Sequence, residues 1–222
     1  VPESGQPVKE VDVADSNTTA QVVIDRIDSE TIQVPIIGTT PLIMHRFAEK
    51  AKRQMLDAMQ GKKTPKQSKD PEAEYQGAFY RLKGDSGYGL PAVAFKQSMV
   101  GATRFFGKDV SMVLVRQTVF VHGDVGEDGQ MLVTVEGEPH MREDVVTVGR
   151  GGHDLRYRPE FPEWRADLRI TYVRASFTRG SVLSLLDAAG MGVGVGEWRP
   201  EKNGDFGQFT IDETREVEVL SS

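Results

Sequence analysis

Arginines set beside aromatics are the side chains of this 222-residue sequence best suited to holding an anionic polymer. A guanidinium binds phosphate through parallel hydrogen bonds and stacks on a base, and an aromatic ring stacks on a base directly. Trp198 precedes Arg199, Trp164 precedes Arg165, and Arg150, Arg156, Tyr157, Arg158, Phe161 and Arg169 continue the mixture. A second set is purely basic: Arg46, Lys50, Lys52, Arg53, Lys62, Lys63, Lys66 and Lys69. Other chemistries are poorly supplied. With no cysteine, disulfides, thiol nucleophiles and iron–sulfur sites are excluded. His140 with Glu143 and Asp144, or His153 with Asp154, falls short of the three or four ligands a metal needs, so neither metal nor cofactor is expected.

The net charge of −6 argues at first against a nucleic-acid partner. Its distribution argues the other way. Residues 1–30 carry seven acids against Lys9 and Arg26, a net −5. Residues 46–69 carry eight bases against Glu49 and Asp57, a net +6, so the remaining 198 residues sum to −12. The field in a groove is set by charges within about a Debye length, so such a protein can hold phosphate locally.

Residues 190–207, GMGVGVGEWRPEKNGDFG, place six glycines in 18 residues. Each glycine costs about 0.5–1 kcal/mol in regular structure, so the cluster implies close backbone approach. A dinucleotide loop lies between a strand and the following helix; here the order is helix, glycines, strand. No Gly-Lys-Ser/Thr ends the string, so it is not a P-loop either.

The elements that must position these residues follow from periodicity and punctuation. Residues 1–30 read as an acidic flexible arm. TIQVPIIG (31–38) reads as a strand with Pro35 at an edge or bend. Phe47, Ala51, Met55, Ala58 and Met59 recur at helical spacing, and an apolar-free loop follows Gly61. AFYRL (78–82) is strand-like; Pro91 then opens a helix reaching Phe106, with Val93, Phe95, Met99, Val100 and Phe106 as its buried stripe. Residues 112–122 and 130–136 read as strands around a Gly- and Asp-rich hairpin turn, and 140–164 as a long irregular functional loop. Residues 164–177 alternate as a half-buried strand, and Thr178 caps a helix that Gly190 closes. The final residues alternate as a terminal strand, completing a β-α-β unit.

Helix, Gly194-Val195-Gly196, Arg199, then Gly204-Asp205-Phe206-Gly207 before a strand resembles the C-terminal glycine-rich loop of the RAMP (repeat-associated) superfamily of CRISPR effector complexes. Asp205 interrupts the usual Gly-Phe-Gly. LPAVAFKQSMVGATR is similar to the helix-opening "Ile-Pro-Gly-Ser-Ser-Leu-Lys-Gly-x-x-Arg" segment of their backbone subunits, with Pro91 and Lys96 in register and Arg104 one turn late. TIQVPIIGTTPLIMH resembles the first strand and following loop. Together these cover about half the chain, in order, and a phage-encoded stand-alone relative fits the same pattern.

The resemblance implies an α+β, modified ferredoxin-like (RRM-like) domain over 31–222, with β-hairpin and loop insertions at 61–75 and 112–163. It implies a sequence-independent, non-catalytic binder of single-stranded RNA or DNA that assembles with itself, as filament or ring, and with other effector subunits. The 112–147 hairpin, or else 150–165, would be the thumb that splays the strand. Phosphates would meet Arg46, Lys50, Arg53, Lys62, Lys63, Lys96, Arg104, Arg156, Arg158, Arg199 and the backbone at Gly194 and Gly196, with Trp198 and Tyr157 stacking bases. Processing nucleases of the superfamily use a His general base, and His45 beside Arg46 is the position compatible with metal-independent endoribonuclease chemistry. Target-cleaving subunits place an Asp after the first strand, and GTTPLIMHRFAEK has none. A virion or complex component with a purely structural glycine loop is the third reading. No apolar run of about 18 residues spans a membrane and no leader is evident, so a cytoplasmic setting, bacterial or phage-infected, is expected.

Overall fold

The computed structural model describes residues 24–47, 53, 56–57, 59–62, 68–84, 87–148 and 152–221. Strand β1 (Ser29–Gly38) runs through the centre of the main antiparallel sheet. β9 (Arg165–Val173) pairs along one side of it, from Ser29↔Val173 to Ile37↔Arg165. The other side is shared: β11 (Glu218–Ser221) pairs with residues 31–33 and β10 (Phe209–Ile211) with 36–38. Pro35 falls between these two partners, and its carbonyl accepts from the Asp212 N–H at 2.9 Å. The missing proline donor faces a gap in the ladder, so Pro35 sits in a central strand rather than at an edge. β4 (Val119–His122) completes the sheet on the far side of β9, giving the order β10-β1-β9-β4.

Alternation explains which face is covered. Ala166, Leu168, Ile170 and Tyr172 of β9 are buried, while Arg165 and Arg169 are exposed. Two helices lie over the apolar face. One is α2 (Ala92–Ala102), which the 3-10 turn Thr103–Phe106 extends; the other is α4 (Arg179–Gly192). Ile32, Val34, Ile36, Phe95, Met99 and Leu186 meet between them, and each fully buried aliphatic or aromatic side chain contributes about 1.5–3 kcal/mol. Val93, expected in the α2 stripe, is 56% exposed. Thr178 caps α4 as expected, accepting from the Ser181 N–H. Gly190 does not close that helix, which continues to Gly192; Gly190 instead lets the helix press against the Phe209 carbonyl.

Two three-stranded sheets flank this unit. β3 (Tyr88–Pro91), β6 (Met131–Val135) and β5 (Asp124–Val125) form one. β2 (Leu42–Ile43), β8 (Gly152–Phe161) and β7 (His140–Val148) form the other, with α1 (Pro71–Gly77) packed on β8. The region read as a single strand over 112–122 is α3 (Met112–Thr118) followed by β4. Ser111 accepts from the Leu114 N–H and buries Val115 inward, which outweighs the β-branched composition.

The stretch read as an irregular loop over 140–164 instead forms, from His140 to Phe161, a long antiparallel strand pair. β7 and β8 pair from His140↔Glu160 to Val148↔Gly152. Of the hairpin expected over 112–147, the turn is present, with β5 and β6 antiparallel around Gly126–Gln130, but the long arm is not: β4 pairs with β9, and β6 also with β3. Within the stretch read as an arm, Ser29 and Glu30 already belong to β1, while residues 1–23 lie outside the described residues. Most of the helix read over 47–59 lies outside them too; Arg53, Leu56, Asp57 and Met59 are helical.

Candidate nucleic-acid interface

A groove of about 730 Å³ opens between the first turns of α2 and the glycine-rich loop. Its basic side chains come from four places in the chain: His45 after β2, Lys96 and Arg104 from the α2 region, Arg116 from α3 and Arg199 from the loop. Pro91 is the residue before α2 and offers no side-chain cap, and the first-turn residues Val93 and Ala94 line the groove. Uncapped helix N–H groups and the helix dipole favour an anion. Glu197 and Glu201 are the carboxylates of the lining.

The loop wall is held by backbone contacts that only glycine permits. Gly194 has φ +70 and Gly207 φ +67, and a Cβ on Gly207 would stand 1.8 Å from the Val195 carbonyl oxygen. Val195 N–H donates to Gly207, and Gly207 N–H to Pro41, so the glycine string is stitched to itself and to the β1–β2 turn. Arg199 closes the same loop: Nη1 donates to the Gly196 carbonyl at 3.1 Å and Nη2 to Glu201 at 2.9 Å. Gly196 and Arg199 are therefore organisers of the groove wall as well as lining.

The remaining basic groups are disposed unequally. Arg104 donates to the Gly101 carbonyl and lies 3.8 Å from Glu201, its side chain 59% exposed. Lys96 donates to the Arg116 carbonyl at 2.8 Å, and burial pushes its ammonium below the ordinary lysine value. Arg46 lies outside the groove and pairs with Asp128 at 3.2 Å. Lys62 is exposed, 4.0 Å from Asp57, and Lys50 and Lys63 lie outside the described residues. Arg53 is exposed.

His45 Nδ1 stands 3.7 Å from Glu197, and that histidine holds the Glu197 carboxyl below the usual carboxylate range. Glu197 also reaches away from the groove, accepting from Arg158 Nη1 at 3.4 Å. Arg158, expected at phosphate, is 1% exposed. Its Nη2 donates to Asp144 at 2.6 Å and its Nε has no hydrogen-bond partner. Arg142 is its directly opposed neighbour across the hairpin. Like charges so placed repel, and the hairpin answers with acids. Asp144 accepts from both arginines, and Glu160 accepts from Arg142 at 2.9 Å with His140 at 3.7 Å beyond it.

Trp198, expected to stack bases, faces this cluster and is not part of the groove lining. The Arg158 guanidinium lies 4.6 Å from its ring centroid and that of Arg142 5.4 Å. Phe206 adds a tilted ring at 6.1 Å. Arg156 lies on the same hairpin face, 4.0 Å from Asp154. Tyr157 lies on the opposite face, where burial and its cross-strand partner Glu143 raise its hydroxyl above the ordinary value.

Of the residues singled out in the sequence, the groove thus unites His45, Lys96, Arg104, Gly194, Gly196 and Arg199. It adds Tyr80, Arg116, Glu197 and Glu201, which sequence reasoning passed over. Arg116 was hidden by reading 112–122 as a strand; a Ser111 cap three residues before Leu114 was the available signal. Among the described residues no group of three or more His, Asp or Glu is placed to hold a metal, and no helix is long and apolar enough to cross a membrane.

No family model matches the chain, and neither does any curated protein. Among solved structures it is similar to the crystal structure of Cmr6 from Pyrococcus furiosus, at 10% identity and a TM-score of 0.40, over 84% of this chain and 100% of that one.

Proposed function

We propose that this protein binds single-stranded nucleic acid, RNA or DNA, along the groove between α2 and the glycine-rich loop, without cleaving it and without reading its sequence. The observation that carries this is the convergence of His45, Lys96, Arg104, Arg116 and Arg199 with the uncapped start of α2, against two carboxylates. Both carboxylates have basic neighbours: Glu197 has His45 and Arg158, Glu201 has Arg199 and Arg104. The strand order β10-β1-β9-β4, with α2 between β1 and β4 and α4 between β9 and β10, supports a ferredoxin-like, RAMP-type reading of the domain. The Lys96 and glycine-loop motifs meeting at one groove support it further. Assembly of copies along the strand and with other effector subunits belongs to the same reading, as does a cytoplasmic setting.

Anisotropy of labelled oligo(U), oligo(dT) and duplex DNA tests it. Single strands bind and duplex does not, with affinity falling steeply as salt rises, because phosphate contacts release counterions. No affinity for either single strand at low salt overturns the proposal. Micrographs with and without the strand test assembly.

The His45–Glu197 pair on the groove favours one second reading, metal-independent cleavage with His45 as general base. A product on denaturing gels that survives a chelator and disappears with His45→Ala would establish it.

A further inference from the structure

We propose that Arg158 and Arg142 are positioning residues: they bolt the glycine-rich loop to the root of the β7–β8 hairpin and so set the groove wall without touching the strand. The inference rests on the groove's being the binding site. Glu197 and Arg199 line the groove, while Trp198 between them turns the other way, onto the two arginines. Trp198 also has φ +50, a backbone conformation that bulky residues rarely adopt and that surrounding structure must impose. The Trp198 carbonyl accepts from Phe206 N–H at 3.1 Å, and Gly204 packs so closely on it that a Cβ there would lie 1.8 Å away. The ring is thus a pin through the loop, and its socket is made by the hairpin's guanidiniums.

The socket costs desolvation. A buried arginine with an unpartnered Nε is a poor way to stabilise a hairpin, since an apolar side chain of similar size does so at least as well. What the guanidinium supplies is direction: its two Nη atoms fix Asp144 of the hairpin and Glu197 of the loop at once. From Glu197 the contact continues to His45 on the groove. Ion pairs therefore run unbroken from the hairpin root to the groove wall.

The test uses full-length protein labelled with fluorotryptophan, whose two fluorine resonances come from Trp164 and Trp198 and are assigned with Trp198→Phe. Two variants are compared, Arg158→Met and the less buried Arg142→Gln, so that a folding failure of the first leaves the second decisive. In each, the Trp198 resonance moves or broadens while that of Trp164 stays. Affinity for oligo(U) or oligo(dT) falls by about tenfold, on the scale of one lost hydrogen bond to a charged group. The slope of log affinity against log salt stays at the wild-type value, whereas loss of a phosphate ligand lowers it by about one. A lowered slope overturns the proposal, because the arginines are then strand ligands. Unchanged affinity, or an unmoved Trp198 resonance, overturns it as well. Failure of the wild type to bind any single strand removes the groove reading, while an Arg142→Gln shift at Trp198 would still report the loop-to-hairpin bolt.

Discussion

Lys96 extends from α2 to stand 4.4 Å over the ring of Phe120 on β4, joining the groove's rim to the edge of the main sheet. The ring and the Arg116 carbonyl fix the ammonium without neutralising it, since neither is an anion. Lys96→Ala is expected to weaken single-strand binding by about tenfold. It should also flatten the salt slope by about one. The two slopes, measured by anisotropy over a salt series, check this.

Glu30 gives the clearest pH dependence. Hydrogen bonds from Arg179, then Tyr172 and Arg174, hold its carboxyl at about 2 against the ordinary 4.5. The unfolded chain takes up this proton first on acidification. The Glu30 contribution is therefore whole above about 4.5 and is lost as pH falls through about 2. Glu30→Gln should flatten stability against pH in that window. At neutral pH it should cost about 2 kcal/mol, a hydrogen bond to a charged group, or roughly 5 °C in Tm. Thermal unfolding of both proteins across the acid range reads both effects.

Two glycine-to-alanine changes in the same helix should act in opposite directions. Gly180, in the first turn of α4, has only Thr178 Oγ1 as a neighbour, at 4.0 Å, so alanine gains helix propensity of about 0.5–1 kcal/mol. At Gly190 a Cβ would stand 1.9 Å from the Phe209 carbonyl oxygen and force α4 off β10, costing about 3 kcal/mol. Urea midpoints for Gly180→Ala and Gly190→Ala distinguish the signs.

His45→Ala should leave single-strand affinity within about threefold, because one partly screened contact on a groove wall is worth about 0.5 kcal/mol. Neither it nor the wild type should release a chelator-resistant product from labelled RNA. A product in the wild type that the substitution abolishes would reassign the protein as a nuclease.

Some of this was legible residue by residue. The alternation of β9, the Thr178 cap and the apolar spacing in α2 are local, and each was visible before any contact was known. The segregation of charge is a property of the chain alone, and so is the glycine string that no regular element tolerates. Local patterns can say that a loop must approach something closely, and that bases are present to hold an anion.

Which way those side chains turn was decided elsewhere. Register pairs Arg142 with Arg158, and a slip of one residue would turn Arg158 to the other face of the hairpin, away from Asp144. That register depends on two strands meeting, so neither strand's sequence announces a buried guanidinium. Residues 112–118 are helical because Ser111 caps them and the core takes Val115, a choice made by packing against composition. Trp198 and Arg199 are neighbours in sequence yet serve opposite sides of one loop, because a positive φ at Trp198 turns the chain between them. The sequence by itself determined the inventory of cations, aromatics and glycines. Tertiary structure alone decided which of them face the groove and which are held behind it, because burial and ion pairing depend on neighbours distant along the chain.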